Sequence, residues 1–245
     1  MMDSRPTSHF HDELDHLQAR LMEMAGLVED LVNRAVEAFL QRDVEAVREI
    51  KADDRVVDAI EVELDERVVA LIALHQPVAT DLRRILAALK ISNDVERVGD
   101  HAHNIAKAAA RVGRNRPLKE IPELAELAVL SERMLRDALA AFASRDSGLA
   151  RAICARDDRV DDLKKTVQRL LTTLMSEEPQ TIRSAMEYIR VAQQLERIGD
   201  LSTNISEEVV FLVEGKSIKH HAEEIRAGGE PGDLRGPGQP DAPGP

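Results

Sequence analysis

Two acidic pairs in this chain have the spacing of a cation site. Glu96 and Asp100 stand four residues apart, and so do Glu196 and Asp200 one hundred positions later. Each pair opens a ten-residue stretch that recurs, ERVGDHAHNI at Glu96–Ile105 and ERIGDLSTNI at Glu196–Ile205. Residues four apart share a helix face, where like charges repel by about 0.2–0.5 kcal/mol. Gly99 and Gly199 add roughly 1 kcal/mol each against alanine in a helix interior. The same costs accepted twice ask for a compensating partner. A parallel feature lies upstream of each motif: Asp54 with Asp58, and Asp158 with Asp162, again four apart. If the helices carrying these pairs face each other, four carboxylates converge in each copy. Asn104 or Asn204, one turn beyond the aspartate, adds a neutral oxygen. An all-oxygen set of this kind suits a hard or borderline cation such as Mg, Ca, Mn or iron.

A single acidic pair in a chain that is 32% charged is ordinarily solvated surface. The conjunction with Gly and Asn, both poor helix formers, is what favours a site here. Arg97 and Arg197 read as ion-pair partners of their acidic neighbours. His103, three residues after Asp100, has the spacing of a di-iron ligand pair, but the matching position in the second copy is Thr203, so His103 reads as solvated. Cys154 is the only cysteine, which excludes an internal disulfide, and it reads as a packed helix residue. A metal-dependent hydrolase or oxidase is one alternative function, since a cation held by carboxylates can activate water. No nucleophile, repeated histidine or glycine-rich phosphate loop accompanies the cluster. A purely structural bundle is the other alternative, and it leaves the doubled Gly and Asn unexplained.

The elements that must position these residues follow from the repeat and from the prolines. Leu21–Asp43 lines up with Leu124–Asp146, placing Phe39 against Phe142. The tetrapeptide Asp53-Asp54-Arg55-Val56 reads against Asp157-Asp158-Arg159-Val160, and Pro77 falls near the place of Pro179. Two units follow, 9–113 and 118–215. Pro6, Pro77, Pro117, Pro122 and Pro179 all sit at the edges of apolar-periodic stretches, where a residue lacking an N–H is tolerated. Between them the pattern predicts six helices near 9–41, 44–75, 79–112, 120–144, 147–176 and 180–214, with Asp43 and Asp146 as N-caps. Helices this long joined by turns this short pack antiparallel, so the fold class is all-α, two tandem three-helix bundles related by an internal repeat. Residues 226–245 hold six Gly and five Pro and read as a disordered tail.

Composition supports packed helices: 43% of residues are apolar, yet only one Tyr and four Phe are aromatic. The net charge of −12 and the absence of a basic stripe with interleaved aromatics argue against nucleic acid as a partner. The start, MMDSRPTSHF, lacks the apolar core of a signal peptide, and the longest apolar run, Val68–Leu74, is far short of the ~20 residues that span a bilayer. The reading is a soluble intracellular protein without membrane insertion.

With these residues in view, the chain resembles the PhoU family of bacterial phosphate-signalling proteins. The resemblance rests on the doubled E-R-[VI]-G-D-x-x-x-N-I, the QPVATDLRRI turn at Gln76–Ile85, the MEMAGLVED stretch at Met22–Asp30 and the two acidic second helices, and it runs over 9–220. It implies a six-helix cytoplasmic accessory factor, a homodimer and not an enzyme, that restrains phosphate uptake and the phosphate-starvation response. It would do so by linking the ATPase subunit of the phosphate ABC transporter to a phosphate-sensing histidine kinase, peripheral to the inner face of the membrane through these partners. Some members hold metal through E/D-x-x-x-D motifs. By resemblance a divalent or trivalent ion (iron, Mn, Mg or Zn) would be held by Asp54, Asp58, Glu96 and Asp100 in one half, and by Asp158, Asp162, Glu196 and Asp200 in the other, with Asn104 and Asn204 in support. The family does not account for the Gly/Pro-rich tail.

Overall fold

The computed structural model describes residues 5–115 and 117–218. The tail at 226–245 therefore lies outside the described residues. Helix α1 spans Arg5–Gln41, α2 Ala46–His75, α3 Ala79–Gly113, α4 Pro122–Ser144, α5 Ser147–Cys154, α6 Asp157–Glu177 and α7 Ile182–Glu214, the last led in by a short 3₁₀ turn at Pro179–Thr181. No strand occurs among the described residues. Helices α1, α2 and α3 pack on one another as one bundle, α4 to α7 as the other, and the two bundles meet along α3 and α7, with α1 touching α4. Lys90–Glu208 near one end of that seam and Arg111–Glu187 near the other show that α3 and α7 run antiparallel.

Small side chains make the seam possible. Helix α3 must pack both inside its own bundle and against α7, and it buries Ala87, Ala88, Ala102, Ala106, Ala108 and Ala109 along its length. Alanine keeps the helix-forming propensity while letting backbones approach on more than one side. The aliphatic core is continuous through both bundles, with Phe39 and Phe142 buried at repeat-related positions and Phe39 edge-on to Tyr188 at 4.8 Å. Asp146 caps α5 by accepting the Leu149 N–H at 2.9 Å, and Asp43 accepts the Glu45 N–H at 2.9 Å just ahead of α2.

One predicted helix is in fact two. The stretch read as continuous over 147–176 breaks at Ala155 and Arg156, and α6 begins at Asp157. Two acidic residues, Asp157 and Asp158, occupy its first turn, where they favour a fresh helix N-terminus, and Arg156 is fixed at the bend by an ion pair with Asp137 on α4.

The repeat register also differs from the tetrapeptide alignment. Arg34 pairs with Asp53 in the first bundle, while Asp137 pairs with Arg156 in the second. This is the same bridge with its charges reversed, and each residue lies 103 positions from its counterpart. The buried Ile50, Val57, Ile60 and Leu64 correspond at the same spacing to the buried Ile153, Val160, Leu163 and Val167. The two DDRV strings are a look-alike, one residue out of step. In the third helices the spacing is 100, and the pattern of buried and exposed residues over 91–100 is repeated without change over 191–200.

Candidate functional site

In the first bundle α2 and α3 bring Asp54, Asp58, Glu96 and Asp100 to one face. Asp54 is buried, 8% exposed, and its Oδ2 lies 2.9 Å from His103 Nδ1, whose N–H donates to the carboxylate. Gly99 is where α3 passes closest to this carboxylate. A methyl group there would stand 3.5 Å from Asp54 Oδ1 and 3.6 Å from Val28 Cγ2. Glu61, one turn along α2, joins the same field and accepts from Asn93 Nδ2 at 3.4 Å. Burial, then the neighbouring charges of Asp100, Glu61, Asp58 and Asp54, push the Glu96 carboxyl up to about 7. Burial followed by Asp54 and Asp100 raises Asp58, and burial raises Glu61. Five carboxylates thus share a region where they repel one another.

His103 reverses the sequence reading. It is 8% exposed, packed between the helices rather than solvated, and its Nε2 is buried without a hydrogen-bond partner. It follows Gly99 by four residues and Glu96 by seven, which puts all three on the stripe of α3 that faces α2.

In the second bundle the structure brings Asp157 and Asp161, not Asp158 and Asp162, to Glu196 and Asp200. Asp158 and Asp162 are exposed, whereas Asp157 and Asp161 are half-buried. A shift of one residue turns a side chain by about 100° around the helix axis, enough to carry it from the groove to the solvent face. Thr203 Oγ1, at the position of His103, donates to Asp157 Oδ1 at 3.3 Å. Burial, then Glu196, Asp157 and Asp161, push the Asp200 carboxyl up to about 6. Lys164 Nζ lies 3.0 Å from Glu196 Oε1.

The two asparagines occupy the seam. Asn104 donates to Gln194 Oε1 across to α7 at 3.4 Å, and its own oxygen accepts from Lys107 at 3.4 Å, so it does not serve the first cluster. Asn204 lines a cavity of about 350 Å³ together with Arg97, His101, Asp157, Arg197, Asp200 and Thr203. Arg97 pairs with Asp94 at 3.4 Å. His101 Nδ1 donates to Gln194 Oε1 at 2.8 Å, and burial, with Arg197 and Arg97 nearby, holds its imidazole below the usual range. Cys154 is half-buried, and burial pushes its thiol up to about 11, which leaves it unreactive at neutral pH. Among the described residues no three His, Cys, Asp or Glu side chains lie close enough, as they stand, to hold one metal ion.

A family model of the PhoU domain matches residues 21–109 and again 124–209. The chain is 35% identical over 208 residues to a phosphate-specific transport system accessory protein PhoU homologue of Aquifex aeolicus, a match covering 85% of this chain and 94% of that protein. To the Pseudomonas putida homologue it is 36% identical over 215 residues, 87% of this chain and 84% of that one. Its fold superimposes on the crystal structure of PhoU from Pseudomonas aeruginosa with a TM-score of 0.81 at 35% identity, covering 84% of this chain and all of that one. The phosphate transport system regulatory protein PhoU from Streptococcus pneumoniae gives a TM-score of 0.80 at 27% identity, covering 86% and 99%.

Proposed function

The chain belongs to the PhoU family, and from that premise we propose that it is an accessory regulator of phosphate transport that holds the phosphate-starvation response off when phosphate is plentiful. The observation that carries this reading is the match of both halves of one chain to the PhoU domain, in a fold that follows solved PhoU structures over most of its length. Its relatives are phosphate-specific transport system accessory proteins spanning most of the same length. Under this reading the role is regulatory rather than catalytic, in keeping with relatives that are named accessory proteins.

No helix among the described residues is long and apolar enough to cross a membrane. Under this reading the protein reaches a transporter by docking, and its partners are the transporter's ATPase subunit and a sensor histidine kinase, met from the cytoplasm as a homodimer. Its long exposed helix faces suit recognition by other proteins.

The first cluster also fits a hard cation in the chemistry of its donors. Asp54, Asp58, Glu96 and Asp100 offer oxygen only, and a bound cation would offset both the burial and the neighbouring negative charge that raise the Glu96 carboxyl. Such an ion would supply fixed positive charge that ties α2 to α3.

Deleting the gene tests the regulatory reading. Phosphate-starvation genes should stay on in phosphate-rich medium, and the cells should accumulate excess phosphate. A deletion strain, free of any second copy, that still shuts those genes off in high phosphate would overturn it.

A further inference from the structure

We infer that the solvent face of α2 is a docking surface for a partner's amphipathic helix, one whose apolar stripe is flanked by lysine and arginine. This rests on the docking reading proposed above and names the face and the chemistry of what meets it. The repeat supplies its own picture of an idle face. At the spacing of 103 fixed by the buried residues, exposed Val56, Ala59, Val62, Val69, Ala73 and Leu74 of α2 stand where α6 exposes Arg159, Asp162, Lys165, Thr172, Ser176 and Glu177. All six positions are apolar in the first copy and polar or charged in the second. Val62, Val69 and Leu74 are 57%, 67% and 76% exposed, so they contribute little to the core of their own bundle. Valine is also a weaker helix former than the lysine that the second copy carries opposite Val62. The isolated chain thus gains neither burial nor propensity from it. Ala59, Val62, Val69 and Ala73, with Glu66 between the valines, follow one another in steps of three and four residues and form one stripe along the helix.

Charge selects the occupant of the stripe. On the side of α1 the rim is closed within the chain, since Glu63 meets Arg20 at 2.8 Å and Arg67 at 2.9 Å. On the side of α3 the edge carries Asp58, Glu61 and Asp65, with Glu61 accepting from the neutral Asn93 and Asp65 beside Leu89, Lys90 and Asn93. Glu66 stands exposed in the stripe itself. Among the described residues none of these four carboxylates forms an ion pair, and Lys90 is taken by Glu208. A second copy of the chain fits badly. Two α2 helices laid antiparallel with Val62 against Val69 set Asp65 and Glu66 against Glu66 and Asp65, and a parallel pair sets Glu66 against Glu66. The anionic surface of a bilayer is repelled by the same groups. A helix with apolar residues at i, i+3, i+4 and i+7 and basic residues beside them covers the stripe and meets the four carboxylates at once.

The test uses the full chain and dye-labelled synthetic peptides, with binding read by fluorescence anisotropy. The first peptide carries leucine at i, i+3, i+4 and i+7 with lysine on both flanks. The second has glutamate in place of lysine, and the third keeps the first one's composition with its leucines scattered. The wild type should bind the first about tenfold more tightly than either of the others. Val62→Lys combined with Val69→Thr, the residues that the second copy carries on the same face, should weaken binding about tenfold. Asp65→Asn combined with Glu66→Gln should weaken it as well and flatten its dependence on salt. Both pairs of positions are exposed, and circular dichroism checks that each variant keeps its helix content. In a deletion strain the Val62→Lys, Val69→Thr gene should fail to restore the shut-off of phosphate-starvation genes. Equal binding of the scattered peptide, or unchanged binding of the first peptide by both variants, would overturn the inference. So would a wild-type dimer in sedimentation velocity that Val62→Lys, Val69→Thr converts to monomer, because a second copy would then be the occupant. Full complementation by that variant would overturn it too and leave the regulatory reading intact. A deletion strain that regulates normally overturns the regulatory reading, while the peptide measurements still decide the face.

Discussion

Replacing Glu96 with Gln should make the metal-free protein more stable at alkaline pH and leave it unchanged in mild acid. The side chain keeps its size and loses only its charge, so the variant reports what that charge costs. Folding raises the Glu96 carboxyl from 4.5 to about 7, because burial and four acidic neighbours disfavour ionisation. One pKa unit corresponds to about 1.4 kcal/mol, so the full displacement is worth about 3 kcal/mol; because the carboxylate is only half-buried, solvent screening reduces the expected effect to about 1–2 kcal/mol. The folded state binds this proton more tightly than the unfolded chain. Below the unfolded value of 4.5 the group is neutral in both states and costs nothing. Stability then falls as pH rises through the window up to about 7, and above it the whole penalty stands. Glu96→Gln should therefore match the wild type near pH 4.5 and exceed it increasingly up to pH 8. For a chain of this size the gain corresponds to a Tm higher by about 2–8 °C. Thermal melts in chelator across that pH range read it directly. A variant that melts at or below the wild type at pH 8, or one whose advantage does not change with pH, would refute the electrostatic argument.

Asp200→Asn should behave alike with a narrower window, gaining stability as pH rises from 3.8 to about 6 and reaching a plateau above, as followed in the same melts. The two motif glycines should respond differently to alanine. At Gly99 the new methyl meets its nearest neighbour at 3.5 Å, so the helix gains up to about 1 kcal/mol, whereas at Gly199 it meets Val160 Cγ1 at 3.1 Å and that valine, 1% exposed, has little room to retreat. Urea unfolding should rank Gly99→Ala above Gly199→Ala by about 1–2 kcal/mol, and equal values would contradict the packing. His103→Leu should cost about 2–4 kcal/mol in the same assay, because it strands the buried Asp54 carboxylate, and His103→Gln, which keeps an N–H donor, should recover part of the loss. A leucine variant as stable as the wild type would mean that the pair carries no weight.

Much of the scaffold was legible because punctuation residues mark its turns. Pro77, Pro122 and Pro179 all fall at or beside helix boundaries, and the doubled motif places α3 against α7 as equivalents. The break between α5 and α6 escaped the same reading because Ala155 and Arg156 are ordinary helix formers. What halts the helix there is acidic charge at the next N-terminus and a tertiary ion pair to Asp137, neither of which is a local signal. The burial of His103 was hidden for a related reason. A polar residue is buried only when a partner is waiting, and that partner, Asp54, lies 49 positions away on another helix.

The aspartates of the second half show how a helix register is misread and where it can be recovered. Identity between DDRV and DDRV is a strong local signal, but a helix presents faces, and a slip of one residue rotates every side chain by about 100°. The aliphatic positions are the better ruler because each of them must reach the core. Phe39 and Phe142, Ile50 and Ile153, Val57 and Val160 all lie 103 apart and are all buried, so Asp54 corresponds to Asp157 and Asp58 to Asp161. The same ruler sets Glu61 against Lys164, a charge reversal that is invisible as long as the tetrapeptides are superimposed. Beside the motif glutamate the two copies thus differ in sign, with Glu61 in an acidic field and Lys164 3.0 Å from Glu196. Duplication copied the groove, and later substitutions changed how its charge is met: His103 faces Asp54 in the first copy, while Thr203 faces Asp157 and Lys164 faces Glu196 in the second.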